Sequence, residues 1–274
     1  MTGLKSEDVW EAYEGENYQC IDTGTSSDLC YIFFSSNGLY FPDEKEVFER
    51  VIICGDRYEW KRVAAQAGVL GKAGRIIYIR DVFKDWYSMG ISKEVNTLDK
   101  TLSLLKKLTE GYQIVTVGSS AGGYMAVLAA VKLQALWCIN FSGQYKVQTN
   151  VREEYQDLSM LLRGYHGRIF YYVPIYSEQD RIQYEMVKEI TCIKEICFKG
   201  RKHADTMLVG NMPYIIGRNS EELLLLYEHY KEREVGKISF LFHTVSIHKI
   251  LPVMNKEIKG FIKRRIRVKK RGSQ

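Results

Sequence analysis

The sequence lacks the features that mark several large protein classes. Its 274 residues include only four prolines, and the sequence contains no internal repeat or low-complexity tract. No apolar run approaches the roughly 20 residues of a membrane span. The N-terminus is acidic and polar, whereas a secretory signal has a basic stretch followed by an apolar one. We therefore expect a globular, cytoplasmic protein, with peripheral contact to a membrane left open.

The cysteine and glycine patterns exclude further classes. The six cysteines are scattered, and none forms the CxxC pair typical of a zinc site. Several lie in apolar runs, where cysteine behaves as a small hydrophobic residue, so we expect reduced thiols and no metal. The glycine-rich stretch GSSAGG (118–123) lacks the lysine of a phosphate loop, and no G-x-G-x-x-G dinucleotide fingerprint occurs.

Short β-branched and aromatic runs alternate with segments of helical periodicity. The strand-like runs are apolar throughout, which is typical of a mostly parallel sheet covered by helices on both faces, an α/β fold. The predicted strands are 30–34, 75–80, 113–117, 136–141, 168–175 and 194–198, while 49–54 is ambiguous. The predicted helices are 60–69, 96–108, 121 onward, 151–163, 181–190 and 220–231.

No shift in composition marks a domain boundary. We expect a single α/β domain with an N-terminal extension over residues 1–234, and a C-terminal extension over 235–274 that ends in a basic, helical tail. The tail reads KGFIKRRIRVKKRGSQ. It is either a solvated helix end or a contact for an anionic polymer or an anionic membrane surface. No nucleic acid partner is expected, because no RNP-like or zinc-finger pattern accompanies the charge.

The stretch QIVTVGSSAGG (113–123) passes from a strand into a helix through G-x-S-x-G, which is the context of a nucleophile elbow. The sharp turn strains the nucleophile's backbone, and the residues two before and two after it must lack a Cβ. Ser120 has Gly118 and Gly122 at these positions, whereas Ser119 has bulkier neighbours. Ser120 is therefore the candidate nucleophile, and a structural joint of small residues is the alternative.

A nucleophilic serine needs a base and an acid that orients the base, in the chain order Ser, Asp or Glu, His. After the strand at 168–175 comes an acidic loop with Glu178 and Asp180, of which Asp180 is preferred because it lies where loop passes into helix. An N-cap role is the alternative for Asp180. After the next strand comes His203, the histidine whose place suits a base. Asp205 is too close to His203 in the chain for the usual geometry.

Acyl transfer also needs an oxyanion hole, usually two backbone N–H groups. One should come from Ala121, the residue after the nucleophile. The other should come from the loop after an early strand, and here Ser36 or Asn37 is the candidate, with an ordinary S-N-G turn as the alternative.

A second loop at the same edge of the predicted sheet carries aromatic residues. Trp86 and Tyr87 follow the strand at 75–80, so they could stack on a sugar ring or line an acyl pocket. A packed loop is the alternative.

Together, GSSAGG, the acid loop SEQD, the histidine loop KGRKH and the SSNG turn resemble the α/β-hydrolase superfamily over roughly 28–230. Three segments, FFSSNG (33–38), RDVFKDWYSMGI (80–91) and GSSAGGYMA (118–126), are similar to small bacterial α/β-hydrolase-fold proteins of surface-polysaccharide loci. Some of those are capsule O-acetyltransferases. The chain lacks the His-Gly-Gly-Gly oxyanion motif of one lipase group, which argues against lipase activity.

These motifs and the resemblance imply a serine acyl-transfer enzyme that acts on an ester or glycan substrate. If water takes the acyl group the protein is a carboxylic ester hydrolase. If a sugar hydroxyl of a surface polysaccharide takes it, the protein is an O-acyltransferase with acetyl-CoA as a plausible donor. No other cofactor is expected. The alternative is a non-catalytic scaffold with this fold in a polysaccharide-assembly or secretion complex.

Overall fold

The computed structural model describes residues 6–203, 205–255 and 258. Its centre is a sheet whose strands are β1 (Tyr18–Asp22), β2 (Leu29–Phe34), β3 (Arg75–Ile79), β4 (Gln113–Ser119), β5 (Trp137–Phe141), β6 (Arg168–Pro174), β7 (Ile193–Phe198) and β8 (Glu234–Val235). Their spatial order is β1-β3-β2-β4-β5-β6-β7-β8. β1 runs antiparallel to β3, and the remaining neighbours are parallel. The predicted α/β class with a mostly parallel sheet is confirmed.

Helices cover both faces of the sheet, as the crossovers between parallel strands require. The helices are α1 (Ser6–Tyr13), α2 (Lys45–Phe48), α3 (Lys61–Gln66), α4 (Leu98–Leu108), α5 (Ala121–Leu133), α6 (Glu153–Gln156), α7 (Ser159–Leu162), α8 (Glu178–Val187), α9 (Met212–Ile216), α10 (Ser220–Tyr230) and α11 (Lys237–Thr244). A π-helical turn spans Glu49–Ile53. One core cluster packs α4, α5 and α8 on the sheet, and the other packs α3, α9 and α10 on the opposite face.

The two best-defined helices follow directly from their sequences. α4 is amphipathic, burying Leu98, Leu102 and Leu105, and its first turn is capped by the Thr97 side chain, which accepts from the Lys100 N–H at 3.1 Å. α5 is apolar around its whole circumference and is buried along almost its whole length. A helix of that composition belongs in the interior, and α5 lies directly behind β4.

The sheet has a topological switch point between β2 and β4, where the order in which strands are added reverses. β3 lies on one side of β2, and the chain then crosses to the other side of β2 to form β4. Ligands of open α/β sheets bind beyond the carboxyl ends of the strands at such a switch. The segments that follow β2 and β4 are the predicted oxyanion loop and the predicted nucleophile elbow.

Two strands, β1 and β8, and four helices, α1, α2, α9 and α11, were not predicted from the sequence. β1 is an edge strand with partly exposed side chains, so it lacks the continuous apolar run that marks the buried strands. β8 has only two residues. α1 precedes β1 and packs Val9 and Tyr13 against Val82 in a small separate cluster.

The predicted helix at 151–163 is wrong as a single element, because it is divided into α6 and α7. Asp157 leaves the helical conformation and pairs with Lys146 in an isolated β-bridge. Its carboxylate then accepts hydrogen bonds from the N–H and hydroxyl of Ser159 at 3.0 and 2.6 Å. This local side-chain bonding competes with helix continuation.

The sequence-based boundary at residue 234 falls inside β8. Val235 pairs with Phe198 of β7, and Phe240 of α11 is fully buried in the second core cluster. Residues 235–244 are therefore part of the domain's packing. A further helical stretch covers 247–255, and the predicted tail beyond 258 lies outside the described residues. In the described part of the chain, no helix has the length and apolar composition to cross a membrane.

The loop after β3 is organised around the buried carboxylate of Asp81. One carboxylate oxygen accepts the N–H groups of Phe83 and Lys84 at 3.1 and 3.0 Å. The other accepts the N–H groups of Asp85 and Tyr87, both at 2.9 Å. The loop includes three non-glycine residues with positive φ, namely Lys84, Trp86 and Tyr87. The carboxylate thus stabilises a strained backbone by accepting four of its N–H groups.

We expect Asp81→Ala to lower the free energy of unfolding by about 2–4 kcal/mol, because it removes a charged acceptor from four backbone donors. Urea unfolding of the variant and the parent measures the difference. Asp28→Ala, which removes an exposed carboxylate at the other end of the sheet, is the matched control. A loss for Asp81→Ala no larger than that of the control contradicts this interpretation.

Candidate active site

Ser120 has the backbone of a nucleophile elbow. It follows β4, precedes α5 and has φ 52° and ψ −123°, a conformation that side-chain-bearing residues rarely adopt. Its N–H donates to the carbonyl of Phe141 at 3.0 Å, so the strained turn is tied to the neighbouring strand. The turn raises Ser120 above the carboxyl edge of the sheet.

The glycines around Ser120 are required by close backbone contacts. A Cβ on Gly118 would collide with the backbone of Gly122. A Cβ on Gly122 would collide with the carbonyl oxygens of Phe34 and Ser35 in the loop after β2. The crowding inferred from the G-x-S-x-G spacing is therefore present, and it also joins the elbow to the predicted oxyanion loop.

The side chains of Ser120, His203 and Asp180 form a continuous hydrogen-bonded chain. Ser120 Oγ lies 2.8 Å from His203 Nε2, and His203 Nδ1 lies 2.8 Å from Asp180 Oδ1. The Asp180 side chain is 3% exposed and that of His203 is 27% exposed. This arrangement can pass a proton from Ser120 to His203 while Asp180 stabilises the imidazolium.

The alternatives for the acid are excluded by position. Asp180 lies in the first turn of α8 with its carboxylate turned to His203, and the N-cap of that helix is Ser177. Glu178 is exposed to solvent. Asp205 forms an ion pair with Lys237.

The two predicted sources of oxyanion donors differ in what they contact. The N–H of Ala121 belongs to the first turn of α5, which has no intrahelical acceptors for its N–H groups. The N–H of Ser36 donates to Glu59 Oε2 at 2.6 Å, and the Ser36 hydroxyl donates to Glu59 Oε1 at 2.9 Å. Ser36 is thus not a free donor in this conformation. The N–H of Asn37 has no partner among the described residues, so Asn37 stays the candidate.

Sequence reasoning missed Glu59, which has no motif around it. Its carboxylate anchors the loop after β2 from the segment before α3, and burial raises the pKa of this carboxyl while the Ser36 hydrogen bonds act in the opposite direction. The indole N–H of the next residue, Trp60, donates to the carbonyl of Phe34 at 2.7 Å. Glu59 and Trp60 together fix the loop after β2. This contact joins segments that are distant in sequence, so only the folded structure shows it.

The predicted ligand contact at Tyr87 is corrected by the structure. Tyr87 is fully buried against Phe34, and its hydroxyl donates to the carbonyl of Ser35 at 2.9 Å. Burial raises the pKa of Tyr87 well above its usual value, so the hydroxyl stays protonated. Trp86 is half-buried, and its indole N–H donates to the Gln144 side chain at 3.3 Å, between the loops after β3 and β5. A substrate contact at Trp86 stays a prediction.

A cleft of about 690 Å³ lies beside the elbow. Ser119 lines it at the sheet edge, Glu59 and Trp60 line it from the segment before α3, and Val209 and Met212 line it from the segment after His203. The lining includes neither Ser120 nor His203, so the cleft adjoins the elbow and does not enclose the hydrogen-bonded chain of Ser120, His203 and Asp180.

The strand order, the elbow and the chain order Ser-Asp-His define an α/β-hydrolase fold. No family model matches the chain, and no curated protein matches its sequence.

Several solved structures align with the chain at low identity. The capsule O-acetyltransferase of Neisseria meningitidis serogroup A is 13% identical over 78% of this chain and 93% of its own, with a TM-score of 0.48. MenH from S. aureus is 12% identical over 79% and 98%, with a TM-score of 0.47. A thermophilic esterase from Thermogutta terrifontis is 13% identical over 77% and 93%, with a TM-score of 0.44. Because these scores are below 0.5, the fold assignment depends on the strand order and elbow of this chain.

We expect Glu59→Ala to slow the reaction of Ser120 with a fluorophosphonate by roughly tenfold or more, because the oxyanion loop loses its anchor. Glu59→Gln should stay within about threefold of the parent, since its amide oxygen can accept the Ser36 N–H and its amide nitrogen can donate to the Ser36 hydroxyl. Intact-mass time courses measure both rates.

Glu110→Ala, at an exposed site far from the loop, is the control for the loss of one carboxylate. If Glu59→Ala reacts as fast as the parent or faster, Glu59 does not position the loop, and a released Ser36 N–H serves as the donor.

Proposed function

We propose that the protein is a serine acyl-transfer enzyme that works through an acyl-enzyme on Ser120. The observation that carries this proposal is the chain Asp180–His203–Ser120, with both hydrogen bonds at 2.8 Å, mounted on a strained elbow. Strained backbone costs folding free energy, and it persists at positions where a side chain must be presented in one orientation.

The first half of the reaction forms the acyl-enzyme. Ser120 Oγ attacks the ester carbonyl carbon as its proton passes to His203 Nε2, and Asp180 stabilises the resulting imidazolium at Nδ1. The N–H groups of Ala121 and Asn37 bind the negative oxygen of the tetrahedral intermediate. The ester C–O bond then breaks, and the leaving alkoxide takes the proton from His203.

The second half releases the acyl group to another nucleophile. His203 takes a proton from the incoming hydroxyl, which attacks the acyl carbon, and Ser120 leaves with a proton returned by His203. Water as the nucleophile makes the protein a carboxylic ester hydrolase. A sugar hydroxyl makes it an O-acyltransferase, for which acetyl-CoA would be the donor and a surface polysaccharide the acceptor. With that donor the bond that breaks in the first half is the thioester C–S bond, and the leaving CoA thiolate takes the proton from His203.

We expect a fluorophosphonate to label the parent protein on Ser120 in a one-to-one ratio, because the probe reacts with serines activated by a neighbouring base. Ser120→Ala should not be labelled. Ser119→Ala is the matched control, since it removes the adjacent hydroxyl and should label like the parent. Intact masses and peptide mapping measure both. A folded parent that takes no label overturns the proposal and favours the non-catalytic scaffold.

Asp180→Asn should lower the labelling rate and any esterase activity by roughly 10³–10⁴-fold, because an amide does not stabilise the imidazolium and can hold the wrong tautomer of His203. The loss should be in kcat with little change in KM. Circular dichroism checks that the variant folds. An activity within about threefold of the parent would show that Asp180 does not orient His203. Adding acetyl-CoA and a glycan acceptor to the active parent then separates hydrolysis from transfer.

A further inference from the structure

Exposed apolar side chains are concentrated at the C-terminal end of the described chain. Ile238, Phe242, Ile247, Leu251 and Ile258 are between 51% and 81% exposed. Such residues are common singly on protein surfaces, but a cluster within a short stretch marks an interaction site.

The exposed residues are not a sign of poor packing in these helices. α11 buries Phe240 and Leu241, and the helical stretch 247–255 buries Ile250 and Val253. The pairs 238 and 242, and 247 and 251, are each four residues apart, so each pair forms one exposed apolar stripe beside a buried one. We call residues 238, 242, 247, 251 and 258 the outer apolar set.

The net positive charge of the protein is concentrated in the sequence that follows directly. Residues 256–271 contain nine lysines and arginines and one glutamate. The formal net charge of the whole chain is +6, so the remaining residues together carry −2. Apolar residues are interspersed among these cations, at 258, 261, 262, 266 and 268.

We propose that the outer apolar set and the basic sequence at 256–271 together bind the surface of an anionic lipid bilayer. Apolar side chains insert at the boundary between headgroups and acyl chains, and the cations pair with anionic headgroups. This contact holds the α/β domain at a membrane surface, and it is independent of the chemistry at Ser120.

The combination of exposed apolar residues and a basic sequence favours a bilayer over a soluble anionic polymer or a second copy of the chain. A soluble anionic polymer would satisfy the cations but leave the apolar side chains in water. A second copy of the chain could cover the apolar side chains, but it would bring two strongly basic sequences together, and like charges repel. An anionic bilayer satisfies both groups at once.

The test is sedimentation of the full chain with vesicles of phosphatidylcholine, with or without about 30% phosphatidylglycerol. We expect binding to the anionic vesicles at about 0.1 M salt, and much weaker binding to neutral vesicles or at about 0.5 M salt. Phe242→Glu with Leu251→Glu should weaken binding at least tenfold, and so should replacing Lys263, Arg264 and Arg265 by Gln. Leu225→Glu, at a 72% exposed site on α10, is the matched control and should bind like the parent.

Fluorophosphonate labelling of each variant in solution separates this proposal from the proposed function, because the labelling should not change. Vesicle binding that is insensitive to the Phe242 and Leu251 substitutions overturns the proposal. Binding to dextran sulfate without binding to vesicles overturns it in favour of an anionic polymer. A dimer in sedimentation equilibrium that dissociates in the double variant, with no vesicle binding, overturns it in favour of a second copy.

Discussion

The close backbone contact between the start of α5 and the loop after β2 is the constraint on which the candidate site depends. Gly122 lies against the carbonyls of Phe34 and Ser35, and Gly118 lies against Gly122 itself. These contacts fix the elbow relative to the oxyanion loop with no side chain between them. Because backbone atoms cannot change rotamer, the spacing between Ser120 and the loop after β2 is set by the fold rather than by flexible groups.

Chain order explains why the triad could be predicted from the sequence. In a parallel sheet the segments that follow successive strands meet at one edge, so the segments after β4, β6 and β7 bring Ser120, Asp180 and His203 together. The sequence indicates this arrangement clearly, because the strands are continuous apolar runs. The sharp turn at G-x-S-x-G also explains why its flanking positions must be glycine. The fold then sets the distances from Ser120 to His203 and from His203 to Asp180.

The remaining parts of the site could not be predicted, because they depend on contacts between loops distant in sequence. The Glu59 carboxylate meets Ser36 across 23 residues, and Tyr87 meets Ser35 across 52. Nothing in the local sequence says that Ser36 is engaged or that Tyr87 is buried rather than facing a ligand. The edge strand β1 was missed for a related reason, because its partly exposed residues lack the apolar continuity of the central strands.

Three consecutive residues at the site are each held by a side chain from elsewhere. Trp60 donates to the carbonyl of Phe34, Tyr87 donates to the carbonyl of Ser35, and Glu59 accepts the N–H of Ser36. A buried loop must satisfy its backbone groups, but water or neighbouring backbone could do so with less order. Large side chains and a carboxylate restrict the loop to one conformation before any substrate binds. That restriction suits the oxyanion role proposed for this loop, because donors that are already oriented need no reorganisation during a reaction.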